Sequence, residues 1–482
     1  MATRAETGGE VGLERRAVGL PAAIGTTFGL IVASTVLYTV VSGFALSYTW
    51  LVALGLGLLA MYLQAMSFSE LATMIPRAGS MNEYVRAGMG PFLATLAVLM
   101  GYVAIMLFPT TAEAFVPSFI LNSQDYIGWD FFSVDVWVII LVGSVALLNI
   151  AGVRQYAAVE VFLTFFVAAS VAIIGLIGLL GIGSNDPIGS ALPDIGGLSW
   201  GGEAGLAGLL GLAIFAFVGM EYACPLAEEM ENPRRNIPLG IFLGLALVSV
   251  PLLLLGLAAA RYVPAEQLGA FAPTAHVDVA TAILDDFGKW WMVAISIGAT
   301  LSTLNALLAG IPRVLYGMGL TGQLPRFFSY LLPRTRTPVV GIVLMALAPI
   351  LMNLLVEPTS LTFLKLILAG VLGWGTAYML IHLSQIILRL RSPELPRPFR
   401  SPLFPLPQLA GMALLALAAF KIFPVAEIRD GAYEYYLYFL GAAVAFSLLY
   451  NLVAYRSFGA LFRPTPVEEV RREAETIRHD TA

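Results

Sequence analysis

Long apolar runs recur along this sequence, and they restrict its fold more than any other feature does. A helix needs about 20 mostly apolar residues to cross roughly 30 Å of hydrocarbon. Only 12% of the residues are charged and 59% are hydrophobic, whereas soluble domains average about 25% charged. The chain is therefore predicted to be an all-α integral membrane protein. The pattern predicts twelve transmembrane helices, at residues 22–46, 50–75, 92–121, 134–152, 157–182, 204–228, 239–261, 289–319, 339–356, 359–389, 404–423 and 432–456.

Basic residues near the ends of the spans predict the orientation, because cytoplasmic loops carry an excess of Lys and Arg. With both termini inside, 21 of the 26 Lys and Arg residues fall on the cytoplasmic side. This asymmetry favours an even number of spans. Residues 1–21 and 457–482 are then cytoplasmic tails, and the expected location is the cytoplasmic (inner or plasma) membrane. The stretch MATRAETGGEVGLERR lacks the short apolar core of a secretory signal, so the first span is expected to be retained.

Several function classes lack their sequence signatures. The formal charge of −5 gives no sign of nucleic-acid binding. The single cysteine, Cys224, excludes an internal disulfide, and His276, His382 and His479 lie in three unrelated segments without metal-ligand spacing. No phosphate-binding glycine loop or nucleophile elbow is present. We therefore expect no enzyme activity, no bound metal and no resident cofactor. The expected partners are a small-molecule substrate and membrane lipids.

The stretch RLRSPELPRPFRSPLFPLP, residues 389–407, separates the first ten predicted spans from the last two. Its prolines prevent a continuous helix. Ten spans divide into five plus five, and many transporters consist of inverted repeats whose first helices are interrupted at the substrate site. The predicted units are residues 22–182, residues 204–389 and a peripheral pair of helices at residues 404–456.

The first helices of these two units have the most unusual interiors. The first contains GLIVASTVLYT, residues 29–39, with Ser34 and Thr35 near its middle. The second contains FAFVGMEYACPLAEEMENPRRNIP, residues 215–238, which places glycine, proline and glutamate within a few residues of an apolar run. Such residues interrupt a helix in the membrane only where the backbone faces protein or a cavity. Both helices are predicted to be broken.

Four stretches together resemble segments of the amino acid, polyamine and organocation (APC) transporter superfamily. They are FSELATMIPRAGSMNEYVRAGMGPF at residues 68–92, the stretch at 215–238, LLAGIPRVLYGMGLTGQLPRFF at 307–328 and PELPRPFR at 393–400. The resemblance implies a LeuT-like fold with a five-plus-five inverted repeat and two extra C-terminal helices. It also implies a secondary transporter that moves small amines or amino acids by alternating access.

The same resemblance implies where a substrate binds. Amides near the first break would hold a carboxylate, because a helix N-terminus carries a partial positive charge, and carbonyls of the sixth helix would hold an amine. Phe215 corresponds to a bulky aromatic that covers bound substrate in the family. The implied substrate-binding residues are Ala33, Ser34, Thr35, Glu113, Phe215, Ala216, Phe217, Val218, Gly219 and Asn305.

Two departures from the family pattern leave the substrate and the coupling ion open. The first break commonly reads Gly-Ser-Gly in the family, but this chain has Ala33, Ser34 and Thr35. Many proton-coupled members carry a lysine in the fifth helix, and span 157–182 has none. Ser302 and Thr303 form a possible sodium site by resemblance. Proton and sodium coupling therefore both remain open.

Ionisable residues inside membrane spans are costly and are functional hypotheses by default. Glu221 is predicted to act in coupling or to carry a proton, and Glu113 to select a positively charged group if it lines the cavity. Glu160 lies near the predicted start of the fifth span and is predicted to be a solvated boundary residue.

The leading interpretation is an amino acid transporter that works by ion-coupled symport or by exchange. The alternative is a transporter or exchanger for polyamines or other organic amines, since two acidic residues at membrane depth suit a cation. An ion channel would require repeated rings of carbonyls or charges, which this sequence does not show. A receptor or a structural subunit would leave the broken helices without a purpose.

Overall fold

The computed structural model describes residues 12–44, 49–189, 205–268 and 271–471, and within these ranges the regular structure is helical. Residues 1–11 and 472–482 of the two predicted tails lie outside the described ranges. So do residues 45–46 of the first predicted span and residue 204 of the sixth.

The first half of the chain supplies the elements that surround the first break. A π-helical turn at Leu99–Val103 joins α5 to α6. The helices are α1 (Leu20–Ile31), α2 (Ser34–Gly43), α3 (Thr49–Met74), α4 (Met81–Met89), α5 (Pro91–Val98), α6 (Ala104–Leu107), α7 (Pro109–Asn122), α8 (Val134–Ala151) and α9 (Val153–Leu180).

The second half begins with another interrupted span. A 3-10 helix at Met220–Leu226 follows α10 after a short non-helical stretch, and further 3-10 turns lie at Arg326–Ser329 and Gly459–Phe462. The helices are α10 (Leu206–Phe215), α11 (Pro233–Tyr262), α12 (Ala265–Leu268), α13 (Ala275–Leu320), α14 (Val339–Leu355), α15 (Ser360–Arg391), α16 (Leu406–Phe420) and α17 (Ala426–Tyr455).

Within the described ranges, nine helical segments are long and apolar enough to cross a membrane. The pair α1 and α2 makes a tenth, with a bend of 56° between its halves. The apolar helices α14 and α16 correspond to two further predicted spans, but they are shorter, with 17 and 15 residues. The all-helical membrane class is confirmed, and the count of twelve stays a prediction.

Most helix boundaries agree with the predicted spans within a few residues, but α11 and α17 each begin six residues before the predicted start, and the largest difference is at α13. This helix begins at Ala275, well before the predicted start at residue 289, and has a kink with non-helical dihedral angles at Leu284 and Asp285. The segment before the kink contains His276 and Asp278 among its apolar residues. Its mixed polarity kept it below the hydropathy of a membrane span, so sequence patterning missed it.

Both described ends of the chain lie at one face of the helix bundle, which we call the terminal face. Val18 forms a β-bridge with Met230, and the Arg471 side chain donates to the carbonyl oxygen of Met74, with Nε 3.1 Å away. An ion pair of 3.9 Å between Arg77 and Glu228 joins these two regions.

The terminal face also brings together the four stretches that carry the family resemblance. Ion pairs connect each stretch to another, and the atoms that form them are largely buried. The pairs are Glu70 with Arg389 and with Arg397, Arg77 with Glu228, and Glu229 with Arg313. These motifs therefore form one structural unit, the terminal-face ion-pair network, although they lie far apart in sequence.

Candidate functional site

The first predicted break lies between α1 and α2. Val32 has φ −80° and ψ 35°, and Ala33 has φ −58° and ψ 151°, so neither residue continues the helix. The first amides of α2, those of Ser34 and Thr35, consequently have no carbonyl of a preceding turn to bind. The predicted position of this break is confirmed.

The second predicted break follows α10, which ends at Phe215. Residues 216–219 are not helical, and Gly219 has φ +104°. A Cβ atom at Gly219 would lie 2.2 Å from Cδ2 of Leu30, so this position requires glycine for both its dihedral angle and its packing against α1. The prediction that this helix is broken is confirmed.

A cavity lies between the two breaks. Its volume is about 30 Å³. The lining is mostly apolar, and Glu113 is its single ionisable residue among those described. The lining residues are Leu30, Ala33, Thr35, Val36, Ile105, Pro109, Thr110, Glu113, Phe215, Val218, Thr303, Leu307 and Trp374.

The Glu113 carboxylate lies against the N-terminus of α2. Its Oε1 atom accepts the Ser34 amide at 2.9 Å, and its Oε2 atom accepts the Thr35 amide at 2.9 Å and the Thr35 hydroxyl at 2.7 Å. The Thr300 hydroxyl also donates to Oε1. The amides predicted to bind a substrate carboxylate are thus occupied by a carboxylate of the chain itself.

A polar chain extends from this site into α13. The Ser34 hydroxyl donates to the carbonyl oxygen of Ser296 at 2.7 Å and lies 3.0 Å from the Thr300 hydroxyl. Nε2 of His276 lies 3.0 Å from the Ser296 hydroxyl. Because His276 precedes the kink of α13, this network joins the short segment before the kink to the first break. Sequence analysis did not identify Ser296, Thr300 or His276 as site residues.

Glu221 lies directly after the second break and is fully buried. Its Oε2 atom accepts a 2.6 Å hydrogen bond from the Tyr378 hydroxyl, which in turn accepts the Gly219 amide at 3.1 Å. Tyr378 therefore fixes both the break and the carboxylate. Trp374, one turn earlier on α15, lines the cavity.

The prediction for Glu160 was wrong. This residue is fully buried, because α9 begins at Val153 rather than at residue 157 and carries Glu160 into the bundle. Its carboxylate accepts hydrogen bonds from the Ser302 hydroxyl at 2.6 Å and from the Asn305 amide at 2.7 Å. Its close approach to α1 is possible only because residue 29 is glycine.

The other predicted site residues divide into two groups. Phe215, Val218 and Thr303 line the cavity, and the Thr303 hydroxyl donates to the carbonyl oxygen of Gly29 at 2.8 Å. Asn305 does not line the cavity, because its side chain is held by Glu160 and by Asn149. This geometry therefore gives its predicted substrate contact no support. Ser302 likewise bonds to Glu160, and the sodium site stays a prediction.

Trp374 and Pro109 line the cavity but were not identified from the sequence. A signal for each exists, since Trp374 is a lone tryptophan between two glycines of the tenth span and Pro109 begins α7 within the third span. Within the described residues, no group of three or more His, Cys, Asp or Glu side chains could hold a metal ion.

The overall fold resembles that of a solved transporter. The structure of MHP1, a nucleobase-cation-symport-1 family transporter in a closed conformation with bound bromovinylhydantoin, superposes with a TM-score of 0.56. The match covers 97% of this chain and 100% of that one at 16% sequence identity. MHP1 has a LeuT-like architecture, so the predicted fold is confirmed at the level of this class.

Sequence relatives are named as transporters and permeases. The human cationic amino acid transporter 4 is 28% identical over 365 residues, which are 72% of this chain and 55% of that protein. The branched-chain amino acid permease BcaP of Bacillus subtilis is 30% identical over 219 residues, or 44% of each chain. The chain spans about half the length of these curated relatives. Their names agree with the expectation that this protein is not an enzyme.

A family model described as amino acid permease matches residues 18–454. The matched region includes both broken helices, the cavity between them and the terminal-face ion-pair network. The chain belongs to the amino acid permease family.

Proposed function

We propose that this protein is a secondary transporter that moves a small amine-bearing substrate by alternating access. The substrate is an amino acid or a related organic amine. One observation carries the proposal: two spans are interrupted at positions that face the same cavity. Broken helices are stable inside a membrane only where their freed backbone groups face protein or a cavity, and such groups bind substrates in transporters of this architecture.

The two breaks offer different charges to the cavity. The last carbonyls of α10 lack a following helical turn and carry the negative end of the helix dipole, which favours an ammonium group. Apolar residues around them, such as Phe215, Leu307 and Trp374, suit a hydrocarbon side chain. The terminal-face ion-pair network joins the ends of several helices, and its opening would release substrate on that side.

The proposed topology has twelve spans, with both termini in the cytoplasm. The proposed location is the cytoplasmic membrane. Residues 22–182 and 204–389 would form the inverted repeats, with residues 404–456 at the periphery. Supporting evidence is the position of both described ends at one face and the clustering of basic residues there. The helices α14 and α16 would complete the twelve.

The substrates of the relatives do not select one amino acid, because the matched proteins are named for cationic and for branched-chain amino acids. An amino acid is the substrate class that the family favours. An organic amine is the second candidate, and the hydrogen bonds that the first amides of α2 donate to Glu113 favour it.

The driving ion is proposed to be a proton or sodium, with Glu221 as the coupling residue. Glu221→Gln keeps an acceptor for the Tyr378 hydroxyl but removes the charge. We expect this variant to keep its thermal stability and to lose at least about tenfold of gradient-driven accumulation, while exchange across the membrane persists. Parallel assays of Tyr378→Phe test the geometry of the second break instead of the charge of Glu221. That change leaves the buried Gly219 amide without its acceptor. Undiminished accumulation in Glu221→Gln would remove Glu221 from coupling.

Uptake into proteoliposomes tests the function itself. Radiolabelled amino acids and amines should enter in a saturable manner, with imposed proton and sodium gradients applied separately. Planar-bilayer recording of the same preparation should show no unitary conductance steps. Discrete channel openings, or the absence of uptake for every amino acid and amine tried, would contradict the proposal.

A further inference from the structure

We infer that Glu113 permanently occupies the subsite that would bind a substrate carboxylate, so that the transported substrates are amines without a carboxylate. This inference rests on the proposed function and narrows its substrate class. It starts from the first break, where the amides of Ser34 and Thr35 both donate to Glu113 at 2.9 Å.

Groups of the chain itself fill the acceptor positions of the Glu113 carboxylate. An ionised carboxylate has about four acceptor positions. Here the amides of Ser34 and Thr35 and the hydroxyls of Thr35 and Thr300 all donate to it. Both amides at the N-terminus of α2 are therefore used, and a second carboxylate finds neither of them available.

The described lining of the cavity offers no cation to a substrate carboxylate. Glu113 is its single ionisable lining residue among those described, and Arg and Lys are not represented in the lining. A substrate carboxylate would lie close to the Glu113 carboxylate with no cation between them. Like charges at such distances repel strongly where water is excluded. The site therefore disfavours zwitterions and anions.

The C-terminal end of α10 reaches the cavity, which is lined by Phe215 and, beyond the end of the helix, by Val218. This end of a helix dipole attracts a cation. Most of the remaining lining is apolar. An amine with a protonated nitrogen and a hydrocarbon side chain matches both features. The Glu113 carboxylate takes the place of the carboxylate that such an amine lacks.

Matched pairs of compounds test this inference in the unaltered protein. Each pair consists of an amino acid and the amine that decarboxylation would give: leucine and 3-methylbutylamine, phenylalanine and 2-phenylethylamine, lysine and 1,5-diaminopentane. In proteoliposomes, we measure the concentration of each unlabelled compound that inhibits the uptake of a radiolabelled substrate. For at least one pair, we expect the amine to compete at a concentration at least about tenfold lower than its amino acid.

Glu113→Ala should reverse this preference, because it frees the two amides and the space of the carboxylate. We expect the amino acid to compete better than its amine in this variant. Added acetate should restore amine binding, since it can occupy the vacated position, whereas acetate should not affect the unaltered protein. A merely structural role for Glu113 predicts neither the reversal nor the rescue.

Glu160→Ala provides the matched control, since it removes another fully buried carboxylate that does not line the cavity. It should lower stability without any gain of amino acid binding. If amino acids compete as well as amines in the unaltered protein, the inference is wrong and the proposed transport function stands. If neither class binds or enters, the proposed function fails. Should Glu113→Ala not fold, the comparison of pairs in the unaltered protein still decides.

Discussion

Arg313→Met is expected to lower the free energy of unfolding by about 3–5 kcal/mol, because it leaves the Glu229 carboxylate buried without its cation. The side chains of Arg313 and Glu229 are each only 1% exposed. Nη2 of Arg313 donates to Oε1 of Glu229 at 3.0 Å, Nε donates to Oε2, and Nη1 donates to the carbonyl oxygen of Ala309 at 2.5 Å. Reversible unfolding in mixed micelles measures the loss.

The double variant Arg313→Met with Glu229→Met separates two energies: the cost of leaving the Glu229 carboxylate unpaired and the net contribution of the ion pair to stability. Replacing both members of a buried ion pair by apolar residues is often neutral or stabilising, so most of the lost stability should return. Arg154→Met supplies the surface control. Its side chain is 69% exposed beside Glu14, and its loss should change stability by no more than about 1 kcal/mol. An equally large effect at both arginines would contradict the argument from burial.

Gly29→Ala is expected to destabilise the protein by roughly 3 kcal/mol or more and to abolish uptake. A Cβ atom at residue 29 would lie 1.9 Å from Oε1 of Glu160 and 2.2 Å from the Ser302 hydroxyl. Real Cβ atoms do not approach other atoms so closely, so α1 or the carboxylate must move. Either movement breaks hydrogen bonds to a buried carboxylate. Thermal unfolding in detergent and proteoliposome uptake measure the two effects.

Gly55→Ala is the matched control for this substitution, because no atom beyond the adjacent stretch of its own helix lies within 4 Å of a Cβ added at that position. It should leave both stability and uptake nearly unchanged. Combining Gly29→Ala with Glu160→Ala removes the clashing carboxylate. The double variant should therefore lose less stability than the two single variants lose in total. Simple additivity of the two losses would show that the clash with Glu160 is not the cause.

The terminal-face ion-pair network and the cavity differ in how they relate to the family pattern. The network is made of the four stretches by which the sequence resembles the family, and its members contact one another across helices. The first break, in contrast, carries Ala33, Ser34 and Thr35 in place of the common Gly-Ser-Gly, and Glu113 binds its amides. The family resemblance therefore describes the shared scaffold better than the substrate.

Local sequence was sufficient for the helices and for both breaks. Hydropathy depends on which residues follow one another, so long apolar segments are recognisable without knowledge of their neighbours. Both breaks were likewise predicted: the family resemblance places the first at Ala33–Thr35, and glycine, proline and glutamate close together within residues 215–238 indicate the second. The helical segment before the kink of α13 was missed because its polar residues lower its mean hydropathy.

What the sequence by itself determined is a helical membrane protein with two interrupted spans, since these properties follow from contiguous residues. Only the tertiary structure decided which groups meet across helices. Glu113 and Thr35 are 78 positions apart, and Glu160 and Ser302 are 142 apart, yet each pair shares a hydrogen bond. The direction in which a buried side chain points depends on helix rotation and packing, which no local pattern encodes. That is why Glu160 was misplaced as a boundary residue, and why the hydrogen bonds from the first amides of α2 to Glu113 became visible only in the folded chain.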